Sequence, residues 1–195
     1  MHVPPFISTM AMMEVVYGIN LIYTNATPLG GYTKQYTDIA TGKFLGINYL
    51  IWIAILVAAV TWFIFNMTRH GKYMYAIGGN PQAAEVKKTL IIIYAKAAAM
   101  YGLAGFMLGA KSGGASVNLG LGYEMEAIAA CTIGGVSVSG GRGKVSSAII
   151  GVAVFELLKT ALQFLGVNAN AQWIALGVII FVAISLDIRK YVARK

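Results

Sequence analysis

The sequence predicts an all-α membrane protein, a polytopic transmembrane helical bundle with about five or six spans, one of them short and broken. Three observations predict this class. Hydrophobic residues make up 58% of the chain and charged residues only 11%, with a mean hydropathy of +0.70, whereas soluble domains carry about 25% charged residues. Apolar runs near the length that crosses a bilayer, roughly 20 residues, recur along the chain. Most cations lie between these runs.

Hydropathy defines six candidate spans. The second is the cleanest because it holds no charged residue, and the fourth is too short to cross the bilayer upright. In chain order the predicted spans are Phe6–Tyr23, Gly46–Asn66, Leu90–Ala110, Met125–Ser139, Val145–Gly166 and Gln172–Leu186.

The segments between the spans predict the orientation. Basic residues dominate the connection 67–89 and the tail after Leu186, and positive charge favours the cytoplasmic side. The segment 25–45 is rich in Thr, Tyr and Gly and is expected outside. The tail returns to the cytoplasm only if the short fourth segment also crosses, which places Arg142 and Lys144 near the cytoplasmic face. The formal net charge of +8 therefore indicates orientation, and no nucleic-acid partner is expected.

The glycine-rich segment 128–145, IAACTIGGVSVSGGRGKV, matches no phosphate-binding motif. A Walker loop requires glycine where Val138 stands and a hydroxyl residue where Val145 stands. A dinucleotide fingerprint requires Gly or Ala in place of Ser146 and a preceding strand. The remaining interpretation is irregular backbone at membrane depth, which must be buried in protein or line a water-filled path. A passive interfacial turn with no role in transport stays open.

Four charged residues fall inside the predicted spans other than the short Met125–Ser139 segment, namely Glu14, Lys96, Glu156 and Lys159. Each costs about 2.5–3.5 kcal/mol at the bilayer centre on insertion scales, so each should face protein or water. Glu156 and Lys159 are three residues apart and share a helical face. They are expected either to form a structural ion pair or to act in a pathway.

Other features have structural explanations beside functional ones. Glu124 and Glu126 open the short fourth segment, where carboxylates favour a helix N-terminus; helix capping and gating both remain open. The small-residue pairs at 105–109 and 147–151 favour close helix packing over a role in transport.

No catalytic or metal-binding constellation is present in the sequence. His2 and His70 lack a second ligand at a recognised spacing. The single cysteine, Cys131, excludes a Cys-based zinc site and is expected to be a small packing residue. The chain is therefore expected to have no enzymatic activity, metal or cofactor.

Several motifs together resemble the permease subunits of bacterial ABC sugar importers of the ribose and galactose type. They are the N-terminal VPPFISTMAMMEVVYGINLIYTNATP, the internal YAIGGNPQAAEV and GYEMEAIAACTIGGVSVSGGRGKV, and the C-terminal ALGVIIFVAISLDIRKYVARK. The resemblance covers nearly the whole chain, and its motifs are specific in combination.

The resemblance implies a multi-pass permease domain over 1–195 in the bacterial inner membrane, translocating a monosaccharide of the galactose/methyl-galactoside or ribose class. It implies three protein partners: a cytoplasmic ATP-binding subunit, a periplasmic sugar-binding protein and a second permease copy. Membrane lipid surrounds the assembly. The alternative is a membrane channel or interaction subunit without ATP coupling.

The resemblance also implies two sets of site residues. An ATPase-docking loop is expected at Asn80, Pro81, Ala83, Ala84 and Glu85. The translocation path or its cytoplasmic gate is expected at Gly134, Gly135, Ser137, Gly140, Gly141 and Gly143.

The chain departs from the family pattern in three places. Additional spans normally precede the first one here, so the chain looks like the C-terminal part of a permease. A short Ser-Gly-Ile-Asn-type stretch that usually follows the position of Val86 is missing. Lys96 stands where a neutral residue is usual.

Overall fold

The computed structural model describes residues 5–79, 86–138 and 140–192, and within these ranges the chain is mainly helical. The predicted all-α class is confirmed, since the strands are only two residues long. The elements are α1 (Pro5–Thr24), β1 (Leu29–Gly30), α2 (Lys34–Thr41), β2 (Lys43–Phe44), β3 (Ile47–Asn48), α3 (Tyr49–Met67), α4 (Arg69–Gly79), α5 (Val86–Ser112), β4 (Gly114–Ala115), α6 (Tyr123–Ile133), α7 (Val145–Phe164) and α8 (Ala169–Val192).

Five helices of the described residues are long and apolar enough to cross a membrane. These spans are Phe6–Thr24, Tyr49–Met67, Thr89–Ser112, Val145–Phe164 and Asn170–Arg189. By contrast, α6 has 11 residues, or about 16 Å at 1.5 Å per residue, roughly half of a 30 Å hydrocarbon core. The prediction of one short, broken segment is thus confirmed.

The described chain divides into two compact units, the first of which contains residues 5–52 and 100–121. β1 pairs antiparallel with β4, and β2 pairs with β3 in a hairpin. The hydroxyl of Tyr36 donates to the carbonyl of Phe106 at 2.6 Å. A Cβ placed on Gly109 would lie 2.7 Å from that hydroxyl oxygen, whereas one on Gly105 would meet no described atom within 4 Å. Packing at the 105–109 pair therefore involves one glycine of the two.

The second unit contains residues 53–99 and 122–192 of the described chain and holds a small core where α6, α7 and α8 meet. Ala129, Ala130, Phe155 and Leu176 are buried together there. Two alanines in the short helix α6 allow α7 and α8 to approach it closely. This core supports the turn that follows α6.

Two helices form where the sequence predicted only connecting loops. α2 lies in the segment expected outside, and α4 lies in the connection after α3 that is expected to be cytoplasmic. α4 begins because the hydroxyl oxygen of Thr68 accepts a hydrogen bond from the amide of Gly71 at 3.2 Å, as an N-cap residue does. Gly71 is buried against the carbonyls of Ile64 and Phe65, which fixes the start of α4 on the end of α3.

Candidate functional site

The candidate site is the glycine-rich turn, defined as residues 134–144 between α6 and α7. α6 ends in a Schellman motif: the amide of Gly135 donates to the carbonyl of Thr132, and the amide of Val136 donates to that of Cys131, both at 2.9 Å. Gly135 has a φ of +87°, in the left-handed region that this motif requires of its glycine. Part of the glycine pattern therefore serves to terminate a helix.

A carboxylate of α8 ties the glycine-rich turn to that helix. Asp187 Oδ2 accepts from the hydroxyl of Ser137 at 2.9 Å and from the amide of Val138 at 3.1 Å. Hydrogen bonds to a charged acceptor are about twice as strong as neutral ones. Asp187 was missed by the sequence reasoning, which counted it only as a tail charge. The available signal was its place at the end of the last apolar run, in a chain with only seven acidic residues.

The turn also contacts α4, through one tyrosine hydroxyl and through the main chain of glycines on both segments. The hydroxyl of Tyr75 donates to the carbonyl of Gly143 at 2.9 Å. A Cβ built on Gly78 would collide with the amide nitrogen of Gly141, and one on Gly140 would lie 3.2 Å from the carbonyl oxygen of Gly78. Only residues without a side chain permit this approach.

The turn also begins and ends where α6 and α7 pack closely. A Cβ on Gly134 would collide with the carbonyl oxygen of Ser147, and one on Gly151 would collide with that of Ala130. Gly151 is buried. The prediction that the 147–151 pair serves helix packing is confirmed.

A cavity of about 530 Å³ lies beside the turn, among α6, α7 and α8. Its walls are mostly aliphatic, with Leu158 and Val182 among them, and its polar lining comes from Thr132 and Asp187. Gly135 also lines it. The Schellman glycine and the carboxylate that holds the turn therefore both border open space.

One of the two predicted residue sets lies within the described residues. The glycine-rich turn contains all six residues predicted for the path or gate, Gly134, Gly135, Ser137, Gly140, Gly141 and Gly143. The predicted docking residues Asn80, Pro81, Ala83, Ala84 and Glu85 lie outside the described residues. They directly follow α4, the helix that contacts the turn.

Lys159 stands in a second polar cluster, on α7. Its ammonium lies 2.7 Å from Glu126 Oε2 of α6 and 3.6 Å from Glu156 Oε1. Tyr123 and Phe155 place their rings 5.8 Å and 6.0 Å from the same nitrogen. The expected ion pair with Glu156 is present, but Glu126 is the nearer partner. Glu126 therefore bridges to Lys159 on the neighbouring helix, and it lies with Glu124 in the first turn of α6, where carboxylates favour the helix dipole.

Glu14 and Lys96, the other two charges singled out from the sequence, have no ion-pair partner among the described residues. Glu14 is exposed on α1, and Lys96 is half-buried on α5. The searched part of the chain holds no group of His, Cys, Asp and Glu side chains suited to a metal ion.

Comparison with known proteins places this arrangement in a family. A family model described as "branched-chain amino acid transport system / permease component" matches residues 1–183. The chain belongs to this permease family.

Its relatives within the permease family include sugar importers. The chain is 40% identical over 207 residues to the galactose/methyl galactoside import permease protein MglC of Escherichia coli, and 38% identical over 207 residues to that of Haemophilus influenzae. It is 34% identical over 198 residues to the ribose import permease protein RbsC of E. coli. The resemblance to permeases of the ribose and galactose type is confirmed. No solved structure matches the chain.

The matches cover the chain more fully than they cover the relatives. They include 100% of this chain for the two galactose/methyl galactoside permeases and 97% for the ribose permease, but 62% of each relative. The alignment with the E. coli galactose/methyl galactoside permease extends over 207 residues against the 195 of this chain, as expected if the relative carries short segments that are missing here.

Proposed function

We propose that the chain is a membrane-spanning permease subunit of an ATP-binding cassette importer that moves a monosaccharide of the galactose/methyl-galactoside or ribose class across the bacterial inner membrane. The observation that carries the proposal is the glycine-rich turn, where irregular backbone is packed among four helices beside a cavity in a chain of the permease family. Non-helical backbone at membrane depth is tolerated where it is sheltered by protein or lines a water-filled path.

The proposed orientation places the turn and the C-terminus in the cytoplasm. The described tail carries Arg189 and Lys190, and the connection before α5 carries Arg69 and Lys72, in accord with the bias of cytoplasmic loops toward positive charge. The exposed Arg142 and Lys144 of the turn are then at the cytoplasmic surface, where cations are least costly.

The proposed partners follow from the names of the relatives and from the motif at 80–85. A cytoplasmic ATP-binding subunit docks on that loop and hydrolyses ATP, so the permease itself is not an enzyme. A periplasmic binding protein delivers the sugar to the outer face, and a second copy of the permease completes the path within the lipid bilayer. In this proposal the chain acts as one permease domain.

The test is sugar uptake by proteoliposomes that contain the chain with the ATP-binding subunit from the same genome, in the presence of the matching binding protein. Radiolabelled galactose, methyl galactoside and ribose are compared, with and without ATP. The proposal expects accumulation of at least one of them only when ATP is hydrolysed. Equal sugar flux with and without ATP would support the channel alternative and not the importer. No flux of any of the three sugars would overturn the proposed function.

A further inference from the structure

α4 begins from a fixed base and leads directly into the proposed docking loop. Its first turn is held by Thr68 and by the close contact of Gly71 with the end of α3. Its last residue, Gly79, directly precedes segment 80–85. A helix anchored at one end transmits a displacement of the loop at its other end to whatever its last turn contacts.

The last turn of α4 contacts the glycine-rich turn with no side chain between them. A Cβ on Gly141 would lie 2.9 Å from the amide nitrogen of Gly79 and 3.0 Å from the carbonyl carbon of Gly78, and one on Gly78 would collide with the nitrogen of Gly141. Flexible side chains absorb small displacements by changing rotamer, but two abutting main chains do not. A shift of α4 at Gly78 must therefore displace Gly140 and Gly141 or break the contact.

A second contact lies on the same face of α4, three residues earlier. Tyr75 donates its hydroxyl to the carbonyl of Gly143 at 2.9 Å, and its ring packs edge-on against Phe65, with ring centroids 5.8 Å apart. Residues three apart are neighbours on a helix surface. Tyr75 and Gly78 thus hold α4 to both the middle and the end of the turn.

We infer that Tyr75 and Gly78 are positioning residues that couple the ATPase-docking loop to the glycine-rich turn. This inference rests on the proposed function. The opposite side of the turn is tied to α8 by Asp187 and to α7 by the contact of Gly134 with Ser147. A displacement that enters through α4 is thereby passed to two membrane spans that border the cavity.

The neighbouring glycines of α4 provide a matched pair of variants. Gly78→Ala forces a Cβ into the nitrogen of Gly141, while Gly79→Ala places its Cβ where no described atom lies within 4 Å. Both add one methyl group to adjacent positions of the same helix. The measured quantity is the number of sugar molecules taken up per ATP hydrolysed by the reconstituted complex, at equal amounts of assembled complex.

Gly78→Ala is expected to lower the number of sugar molecules moved per ATP by roughly tenfold, while the complex still hydrolyses ATP. Typical coupling between two sites changes an affinity by about 5–150-fold, so a tenfold loss lies within the usual range. Gly79→Ala is expected to keep the wild-type ratio. A purely structural role for Gly78 would reduce the amount of complex and leave the ratio unchanged. Equal ratios for the two variants and the wild type would overturn the inference, whereas a wild-type complex that moves no sugar would instead overturn the proposed function.

Tyr75→Phe supplies the second test and decides the matter if Gly78→Ala does not assemble. It removes one hydroxyl and keeps the ring against Phe65, so assembly should be normal. The ratio of sugar to ATP should fall by about threefold, less than for Gly78→Ala, because only one hydrogen bond of modest net strength is lost and the backbone contact at Gly78 is kept. The exposed Tyr73 gives the matched control, Tyr73→Phe, which should behave as wild type. Equal ratios in Tyr75→Phe and Tyr73→Phe would refute the role of Tyr75.

Discussion

Replacing Lys159 with Met should destabilise the protein more than removing either of its acidic partners. The side chains of Lys159 and Glu126 are only 22% and 16% exposed, whereas that of Glu156 is 59% exposed. Without Lys159, the nearly buried carboxylate of Glu126 loses its partner and keeps only the like charge of Glu156 nearby. Breaking a buried pair from one side costs about 3–5 kcal/mol, and the residual exposure of this pair favours a cost of about 3 kcal/mol.

Replacing either glutamate with glutamine leaves fewer unpaired charges around Lys159 than removing Lys159 does. Glu126→Gln preserves shape and leaves Lys159 with Glu156 at 3.6 Å, so the expected cost is about 1 kcal/mol. Glu156→Gln removes an exposed partner and should cost about 0–1 kcal/mol. The double variant Lys159→Met/Glu126→Gln should cost less than Lys159→Met alone, because no unpaired carboxylate stays buried at position 126.

Unfolding of the purified chain in mixed micelles with increasing dodecyl sulfate measures these costs. Tryptophan fluorescence is a suitable signal, because the ring of Trp173 packs against Gly122, directly before α6. A Cβ built on Gly122 would lie within 3.3 Å of that ring. The expected order of stability loss is Lys159→Met, then Glu126→Gln, then Glu156→Gln. A Lys159→Met variant as stable as Glu126→Gln would refute the assignment of this cluster as a buried ion pair.

Three further predictions concern the turn and its supports. Gly135→Leu should abolish sugar uptake, since it places a bulky side chain on the wall of the cavity that Gly135 lines. Gly166→Leu, also at positive φ but in open space after α7, should carry a similar backbone strain of about 1–2 kcal/mol and retain uptake. Asp187→Asn should lower the free energy of unfolding by about 1–2 kcal/mol by weakening two charge-assisted bonds, and unchanged dodecyl sulfate titrations would contradict this. In the same titration Gly151→Ala should cost about 1–3 kcal/mol by overpacking α6 against α7, whereas Gly177→Ala, with open space at its Cβ, should stabilise by about 0.5–1 kcal/mol; equal effects of the two alanines would count against close packing at 151.

The spans could be predicted from the sequence because hydropathy acts over a whole segment. The uncharged second span illustrates both the success and its limit. It was expected over Gly46–Asn66 and forms α3 at Tyr49–Met67. The start differs because Ile47–Asn48 forms a strand with Lys43–Phe44, and because the side-chain oxygen of Asn48 accepts from the amide of Leu50 at 2.8 Å at the start of the helix.

The features missed from the sequence depend on contacts between distant segments. α4 contains three glycines and several polar residues, so neither hydropathy nor helix propensity indicates it; Thr68 and the packing of Gly71 against the end of α3 stabilise it. Likewise, the glycines at 134–143 signal irregular backbone, but the groups that hold it are remote: Gly78 contacts Gly140 and Gly141, and Asp187 accepts from Ser137 and Val138, each from about 50 residues or more away along the chain.

The central claim is that the glycine-rich turn lies at the cytoplasmic end of the path. Measuring from which side of the membrane a reagent reaches the turn tests this claim most directly. Cys131 is replaced with Ala, and single cysteines are placed at the exposed positions Lys144 in the turn and Lys43 in the segment expected outside. A membrane-impermeant maleimide should label Lys144→Cys only in inside-out vesicles and Lys43→Cys only in right-side-out vesicles. Labelling of Lys144→Cys from the periplasmic side would contradict a glycine-rich turn at the cytoplasmic end of the path.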